Sequence, residues 1–138
     1  MGQKRITETL SVSSQIAAAD VAAIAASGFR AIICNRPDGE APDQPAFDEI
    51  EAAAKQHRLE IRYQPVVSGH VQDADASAFG ALLADLPKPV LAYCRSGTRS
   101  AVRWALSEGD KRPLPDILER TKAAGFDMAG LVHRISGG

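Results

Sequence analysis

Apolar positions follow two different periodicities along the chain. Short apolar runs, typical of buried strands, are separated by stretches in which apolar residues recur every three or four positions, as on one face of a helix. The strand pattern covers residues 6–12, as one strand or a hairpin, and residues 29–34, 59–67 and 90–93. The helix pattern covers residues 20–26, 45–56, 75–86, 100–107, 115–124 and 127–135. Strands separated by helices predict an α/β fold with a central, mostly parallel sheet and helices on both faces.

Composition and charge place the chain among ordinary globular proteins. Of its 138 residues, 45% are hydrophobic and 24% are charged, with a formal net charge of −1. This balance predicts no nucleic-acid partner and no anionic membrane surface. No linker or repeat interrupts the pattern, so we expect a single domain over residues 1–138, with its core at about residues 4–135.

An alanine-rich segment near the N-terminus, residues 16–26, has some features of a signal peptide. Asp20 interrupts it, and Gly28 follows it in the position of a helix C-cap, so an amphipathic helix explains the segment better. No apolar run reaches the roughly 18 residues that a membrane span requires. We therefore expect a cytoplasmic protein.

Two cysteines end predicted strands. Two cysteines in a chain of this length do not indicate a disulfide scaffold, and no metal-ligand spacing is present, so we expect no metal and no cofactor. In open α/β sheets, ligands bind beyond the carboxyl ends of the strands. Cys34 and Cys94 should both lie at that edge, and the turn at residues 35–40 and the loop at residues 67–74 should border the same crevice.

The segment that carries the most chemical information begins at Cys94 and reads Cys-Arg-Ser-Gly-Thr-Arg-Ser. A strand, a tight loop and a helix start direct several amides inward and form an anion-binding nest, with Ser100 expected to cap the helix. Helix N-termini and nearby cations favour a cysteine thiolate, and Arg95 and Arg99 supply two cations. A cysteine that merely packs in the core would not require these neighbours. The sequence therefore predicts a thiolate nucleophile at the mouth of the nest.

Three segments resemble a known family. Residues 90–100, residues 33–40 and residues 63–66 look like the bacterial phosphatase-like domain found alone or fused to beta-lactamase-like hydrolases, and the resemblance covers residues 4–135. That domain is similar in fold to the dual-specificity branch of the cysteine-dependent protein tyrosine phosphatases. The resemblance implies a cysteine-phosphatase fold and a functional link to a hydrolase that processes persulfides.

The active loop departs from the phosphatase pattern. Tyrosine phosphatases place their arginine after five intervening residues, but here Ser100 holds that position and Arg99 follows Cys94 after four, which resembles the shorter loop of rhodanese sulfurtransferases. Tyr93 also replaces the histidine that usually precedes a phosphatase cysteine. A smaller nest suits one sulfane sulfur better than a tetrahedral phosphate.

We therefore interpret the chain as a sulfurtransferase. Cys94 would form a persulfide from a small anionic sulfane-sulfur donor and pass the sulfur to an acceptor thiol, with Arg99 as the second catalytic residue. The residues expected to bind the substrate are Arg95, Ser96, Gly97, Thr98 and Ser100.

Two alternatives remain open. The first is a phosphatase that forms a phosphocysteine at Cys94, with Asp73 or Asp75 as general acid for the leaving oxygen; Asp75 would serve equally well as a helix N-cap. The second is a redox-sensing module in which Cys34 pairs with Cys94, which requires their Cα atoms to lie within about 7 Å. A buried core thiol is the simpler interpretation of Cys34.

Overall fold

A computed structural model describes residues 2–136, and its centre is a five-stranded sheet. The strands are β1 (Lys4–Thr7), β2 (Leu10–Ser13), β3 (Ala31–Cys34), β4 (Glu60–Tyr63) and β5 (Val90–Tyr93). Their order across the sheet is β1-β2-β5-β3-β4. Only β1 is antiparallel to its neighbour, and the other pairings are parallel, which confirms the predicted mostly parallel sheet.

Helices cover both faces of the sheet, as predicted. They are α1 (Val21–Ala26), α2 (Phe47–Gln56), α3 (Asp73–Asp85), α4 (Thr98–Ser107), α5 (Leu114–Ala123) and α6 (Val132–Ile135), with single 3₁₀ turns at Ala18–Asp20 and Ala129–Leu131. Because side chains alternate along a strand, Ile32 and Cys34 pack with α1 and α2, whereas Ala31 and Ile33 pack with the layer that contains α3 to α6. Within residues 2–136, no helix combines the length and the apolar character needed to cross a bilayer.

Several predicted boundaries are wrong: the helix predicted at 127–135, for example, is a 3₁₀ turn at Ala129–Leu131 followed by the short α6. Two of these errors concern segments close to the candidate chemistry. The strand predicted at 59–67 is shorter, because beyond Tyr63 the chain contains Pro65 and leaves the sheet, although the Gln64 amide still donates to the Cys34 carbonyl at 2.8 Å and the Val66 amide to the Asn35 carbonyl at 3.1 Å. Helix α3 begins at Asp73 rather than at 75. Asp75 therefore lies in its first turn, where its carboxylate accepts the Gln72 amide at 2.8 Å, and it is not the N-cap.

The register of the parallel strands aligns their carboxyl ends. Tyr93 pairs with Cys34 on one side and with Ser13 on the other, and Cys34 in turn pairs with Tyr63. The segments that follow these four residues consequently leave the sheet at one edge. Every sequence motif that carries candidate chemistry lies at this edge.

Candidate active site

The loop between β5 and α4 folds directly onto its cysteine. Gly97 adopts a left-handed conformation with φ of 92°, and helix α4 begins at the next residue, Thr98. This turn directs the Gly97 amide toward Cys94 Sγ, to which it donates at 3.1 Å. A backbone N–H aimed at sulfur stabilises negative charge on it. The predicted order of strand, tight loop and helix is confirmed, although the helix begins at Thr98 rather than at residue 100.

The end of β2 and the residues that follow it hold the loop in place. The Cys94 amide donates to the Ser13 carbonyl at 3.3 Å, and the Gln15 amide donates to the Arg95 carbonyl at 3.2 Å. A β-carbon on Gly97 would lie 3.1 Å from Cζ of Phe126 and 3.4 Å from the Ser13 carbonyl oxygen. Position 97 therefore requires glycine for its conformation and for its close neighbours.

The prediction that Ser100 caps α4 is wrong. Because the left-handed turn at Gly97 starts the helix early, Ser100 lies within the first turn and is fully buried. Its hydroxyl accepts a hydrogen bond from Nδ2 of Asn35 at 2.8 Å. Asn35 thus ties the segment after β3 to the start of α4, a contact between residues 65 positions apart.

A buried arginine supports the loop from behind. Arg103, on α4, donates to Asn35 Oδ1 at 2.9 Å and also to the carbonyls of Gln64 and Asp75. Its guanidinium carbon lies 5.5 Å from the centre of the Phe79 ring. Burial lowers the pKa of Arg103 to about 10, which leaves it charged at neutral pH. Arg103 therefore joins α3, α4 and the ends of β3 and β4.

Arg99 is bound by a carboxylate that sequence analysis did not single out. Its two terminal nitrogens donate to the two carboxylate oxygens of Glu40 at 2.7 and 2.9 Å, and Nη1 also donates to the Val66 carbonyl at 3.0 Å. The hydrogen bond from Arg99 is the largest cause that lowers the pKa of Glu40, from an ordinary 4.5 to about 2. The same pair raises the pKa of Arg99. The pair is therefore fully ionised at neutral pH.

A second arginine contacts the same carboxylate. Nε of Arg36 donates to Glu40 Oε1 at 2.9 Å, and Nη1 of Arg36 donates to Gln15 Oε1 at 3.0 Å. Arg36 and Arg99 are both buried, whereas the side chain of Glu40 is 25% exposed. The turn at 35–40 thus supplies an anion and a cation to the site.

An open pocket of about 600 Å³ lies beside the loop. Its walls come from the segments after β3, β4 and β5, and its lining residues are Arg36, Glu40, Ala41, Pro42, Ser68, Arg95, Ser96, Thr98 and Arg99. The prediction that these segments border one crevice is confirmed. Cys94, however, is 0% exposed. The prediction of a thiol at the mouth is wrong, since the short loop folds over the sulfur.

Comparison with known proteins shows the family to which the chain belongs. The family model described as the phosphatase-like domain of beta-lactamase hydrolase-like protein matches residues 3–110. The chain belongs to this family of phosphatase-like domains.

Relatives of this phosphatase-like domain include longer proteins. The beta-lactamase hydrolase-like protein of Xylella fastidiosa (strain Temecula1) is 39% identical over 129 residues, which cover 92% of this chain and 30% of the relative. The corresponding protein of Agrobacterium fabrum is 36% identical over 126 residues, covering 90% of this chain and 29% of that protein. The chain therefore spans less than a third of these relatives.

A solved structure shares both fold and sequence with the phosphatase-like domain. It is described as a "putative phosphatase" from Neisseria meningitidis Z2491, is 34% identical, and superposes with a TM-score of 0.88 over 99% of this chain and 98% of that one. These findings confirm the dual-specificity-like cysteine-phosphatase fold. Together with the family description, they support an enzyme, and they favour phosphoryl hydrolysis over sulfur transfer.

The two carboxylates considered as general acids make other contacts in this phosphatase-like domain. Asp73 is exposed and pairs with Arg134 at 3.1 Å, while Asp75 accepts the Gln72 amide. Neither residue lines the pocket beside the loop. Their catalytic role remains a prediction that these contacts do not favour.

Cys34 packs on the face of the sheet that is covered by α1 and α2. It pairs in register with Tyr93 rather than with Cys94, and its thiol donates to the Arg36 carbonyl at 3.3 Å. Burial raises the pKa of Cys34, and both thiols are free. The redox pairing of Cys34 with Cys94 remains a prediction. The burial of Cys34 agrees with the simpler interpretation of a core thiol.

Proposed function

We propose that the phosphatase-like domain is a sulfurtransferase whose nucleophile is Cys94. The Cys94 thiolate attacks the outer sulfur of a small sulfane-sulfur donor, the donor's sulfur–sulfur bond breaks, and its electron pair leaves with the departing group. Cys94 then carries one additional sulfur. An acceptor thiolate or cyanide attacks that outer sulfur and releases the Cys94 thiolate, so the kinetics are ping-pong.

The observation that carries this proposal is the engagement of Arg99 by Glu40. A transferring phosphoryl group presents three equatorial oxygens that carry negative charge and need donors. Here the fork of Arg99 that would clamp two of them is already occupied by the two oxygens of one carboxylate. A sulfane sulfur requires no such clamp. It needs converging amides, and the Gly97 amide already donates to Cys94 Sγ.

The remaining loop residues have roles suited to a small anionic donor. Arg95, Ser96 and Thr98 are exposed along the pocket and can attract and orient the donor. The α4 N-terminus stabilises negative charge on the persulfide. Because Cys94 is 0% exposed, the atoms around it have to move before a donor sulfur reaches Sγ. This requirement favours small donors.

Phosphoryl hydrolysis is the second candidate, and the relatives favour it. The family is described as phosphatase-like, and the 34% identical Neisseria protein is described as a phosphatase candidate. In this candidate, Cys94 forms a phosphocysteine, and Arg99 leaves Glu40 to hold the phosphoryl oxygens. A proton donor for the leaving oxygen is also needed. Asp73 and Asp75 would have to leave their present partners to supply it.

One comparison separates the two candidates. The purified protein is incubated with cyanide and either thiosulfate or a thiol persulfide, and separately with an aryl phosphate, and thiocyanate and phenolate are measured. Cys94→Ser tests the nucleophile, and Cys34→Ser serves as the matched control for the other thiol. We expect thiocyanate formation that disappears in Cys94→Ser and persists in Cys34→Ser. Cys94-dependent release of phenolate without thiocyanate would overturn the proposal in favour of the phosphatase.

A further inference from the structure

Glu40 lies between two arginines that would otherwise attract anions to the pocket. Arg36 and Arg99 are buried, and three of their nitrogens donate to the single carboxylate of Glu40 at 2.7 to 2.9 Å. The two arginines together carry two positive charges, and Glu40 reduces their sum to one. All three residues line the same pocket.

The carboxylate of Glu40 stays ionised at every pH at which the protein is expected to work. The hydrogen bond with Arg99 lowers the pKa of Glu40 to about 2, so it does not become neutral near pH 7. An anion that binds Arg99 therefore has to compete with a permanent internal anion. The penalty is greatest for a tetrahedral dianion, because such an ion uses two oxygens to bind a guanidinium in the geometry that Glu40 already uses.

We propose that Glu40 is a specificity-determining residue that excludes tetrahedral dianions from Arg99 and restricts the sulfur donor to low-molecular-weight thiol persulfides. This inference rests on the proposed sulfur transfer. Thiosulfate carries its sulfane sulfur on a tetrahedral dianionic group and needs the arginine to hold that group. A thiol persulfide carries its outer sulfur on an ordinary thiol sulfur, and it needs only access to Cys94.

The two donors give balanced reactions with different leaving groups. With a persulfide, the Cys94 thiolate attacks the outer sulfur of RS–SH, the RS–S bond breaks, RS⁻ leaves and takes a proton from water, and Cys94 retains S–SH. With thiosulfate, the same attack breaks the bond to the sulfonate group, and sulfite leaves with the electron pair. Only the second reaction requires two negative charges to be held beside Arg99.

A purely structural role for Glu40 makes the opposite prediction. If Glu40 serves only to hold Arg99 in place, its removal disorders the guanidinium and weakens the binding of every anion. If Glu40 excludes dianions, its neutralisation frees Arg99 and strengthens their binding. Glu40→Gln removes the charge with little change of size, and Glu40→Asp keeps the charge on a shorter side chain. Glu119→Gln, at an exposed site near the opposite end of the sheet, is the matched control.

The experiment has two readouts. Calorimetric titration with inorganic sulfate measures dianion binding without any reaction, and the ratio of kcat/KM for thiosulfate to that for glutathione persulfide measures donor choice. We expect Glu40→Gln to bind sulfate about tenfold more tightly and to raise the donor ratio about tenfold, whereas Glu119→Gln changes neither. Circular dichroism confirms that each variant is folded, and Glu40→Asp should keep the wild-type donor ratio.

Different negative results overturn different parts of the proposal. Sulfate binding that is unchanged or weaker in folded Glu40→Gln overturns the exclusion of dianions. An unchanged donor ratio overturns the assignment of the donor class. If neither donor yields thiocyanate with the wild type, the proposed sulfur transfer falls and the donor assignment falls with it, while sulfate titration still decides whether Glu40 excludes dianions.

Discussion

Gly97 offers a direct test of how the loop contacts its cysteine. Substitution by alanine places a β-carbon where the backbone has a φ of 92° and where Cζ of Phe126 lies only 3.1 Å away. Gly28 provides a matched control, since its φ is 99° and a β-carbon there would meet nothing within 4 Å. Gly97→Ala therefore combines backbone strain with crowding, whereas Gly28→Ala introduces only the strain.

The magnitudes follow from these contacts. A left-handed conformation costs a residue with a β-carbon about 1–2 kcal/mol, so Gly28→Ala should lower the free energy of unfolding by roughly that amount. Crowding against the half-buried Phe126 should add about 1 kcal/mol at Gly97. A displaced Gly97 amide also removes a hydrogen bond to Cys94 Sγ. Since hydrogen bonds to charged groups contribute about 1.5–3 kcal/mol, reactions of the thiolate should slow by roughly tenfold or more.

Two assays check this reasoning. Urea denaturation gives the free energies of unfolding, and the rate of Cys94 alkylation by iodoacetamide, measured in a Cys34→Ala background, gives the reactivity of the thiolate. Gly97→Ala should be less stable than Gly28→Ala and should alkylate more slowly. If Gly97→Ala matched Gly28→Ala in stability and the parent protein in alkylation rate, the contact between the Gly97 amide and the sulfur would have no energetic role.

Three further predictions concern the polar contacts of the site. Arg99 lowers the pKa of Glu40 from 4.5 to about 2, so the ion pair should stabilise the fold above about pH 4.5 and lose that effect as the pH falls toward 2. With allowance for the partial exposure of Glu40, urea titrations should show that Glu40→Gln has a free energy of unfolding about 1–2 kcal/mol below that of the parent at neutral pH, and that this deficit vanishes near pH 2. A deficit that persists in acid would refute this. Asn35→Ala should cost about 1–3 kcal/mol in the free energy of unfolding, because it removes one acceptor of the buried Arg103 and the donor to the buried Ser100 hydroxyl, while Asn35→Asp should cost less; equal losses would contradict this role. Arg95→Ala, at an exposed position, should change stability by less than about 0.5 kcal/mol yet raise KM for the sulfur donor, and an unchanged KM would exclude Arg95 from donor binding.

The sequence predicted the scaffold well because the relevant signals are local. Apolar periodicity distinguished strands from helices, and turn residues marked the loops at the carboxyl edge of the sheet. The segment from Cys94 to Ser100 indicates a functional loop by itself, because a cysteine at a strand end, followed by two arginines and a glycine, has few purely structural explanations. Each of these inferences uses residues within a single element or its immediate neighbours.

One error concerns a contact between distant segments, and another concerns the residue at which a helix begins. Glu40 lies 59 positions from Arg99, and its turn, Asn-Arg-Pro-Asp-Gly-Glu, is equally well explained as a self-contained turn. Serine is a frequent N-cap, which favours Ser100 as the cap of α4, but the left-handed Gly97 starts the helix before it. The sequence does contain a signal for the pair of Glu40 and Arg99. Arg99 has no counter-ion within its own loop, and the turn that contains Glu40 lies at the same predicted edge of the sheet.

The most direct test of the account is the intact mass of the protein after exposure to a thiol persulfide. Sulfur transfer at this site predicts a gain of one sulfur atom that maps to Cys94, disappears on reduction and is absent in Cys94→Ser. An unchanged mass, together with turnover of an aryl phosphate that depends on Cys94, would contradict sulfur transfer and assign phosphoryl hydrolysis to this site.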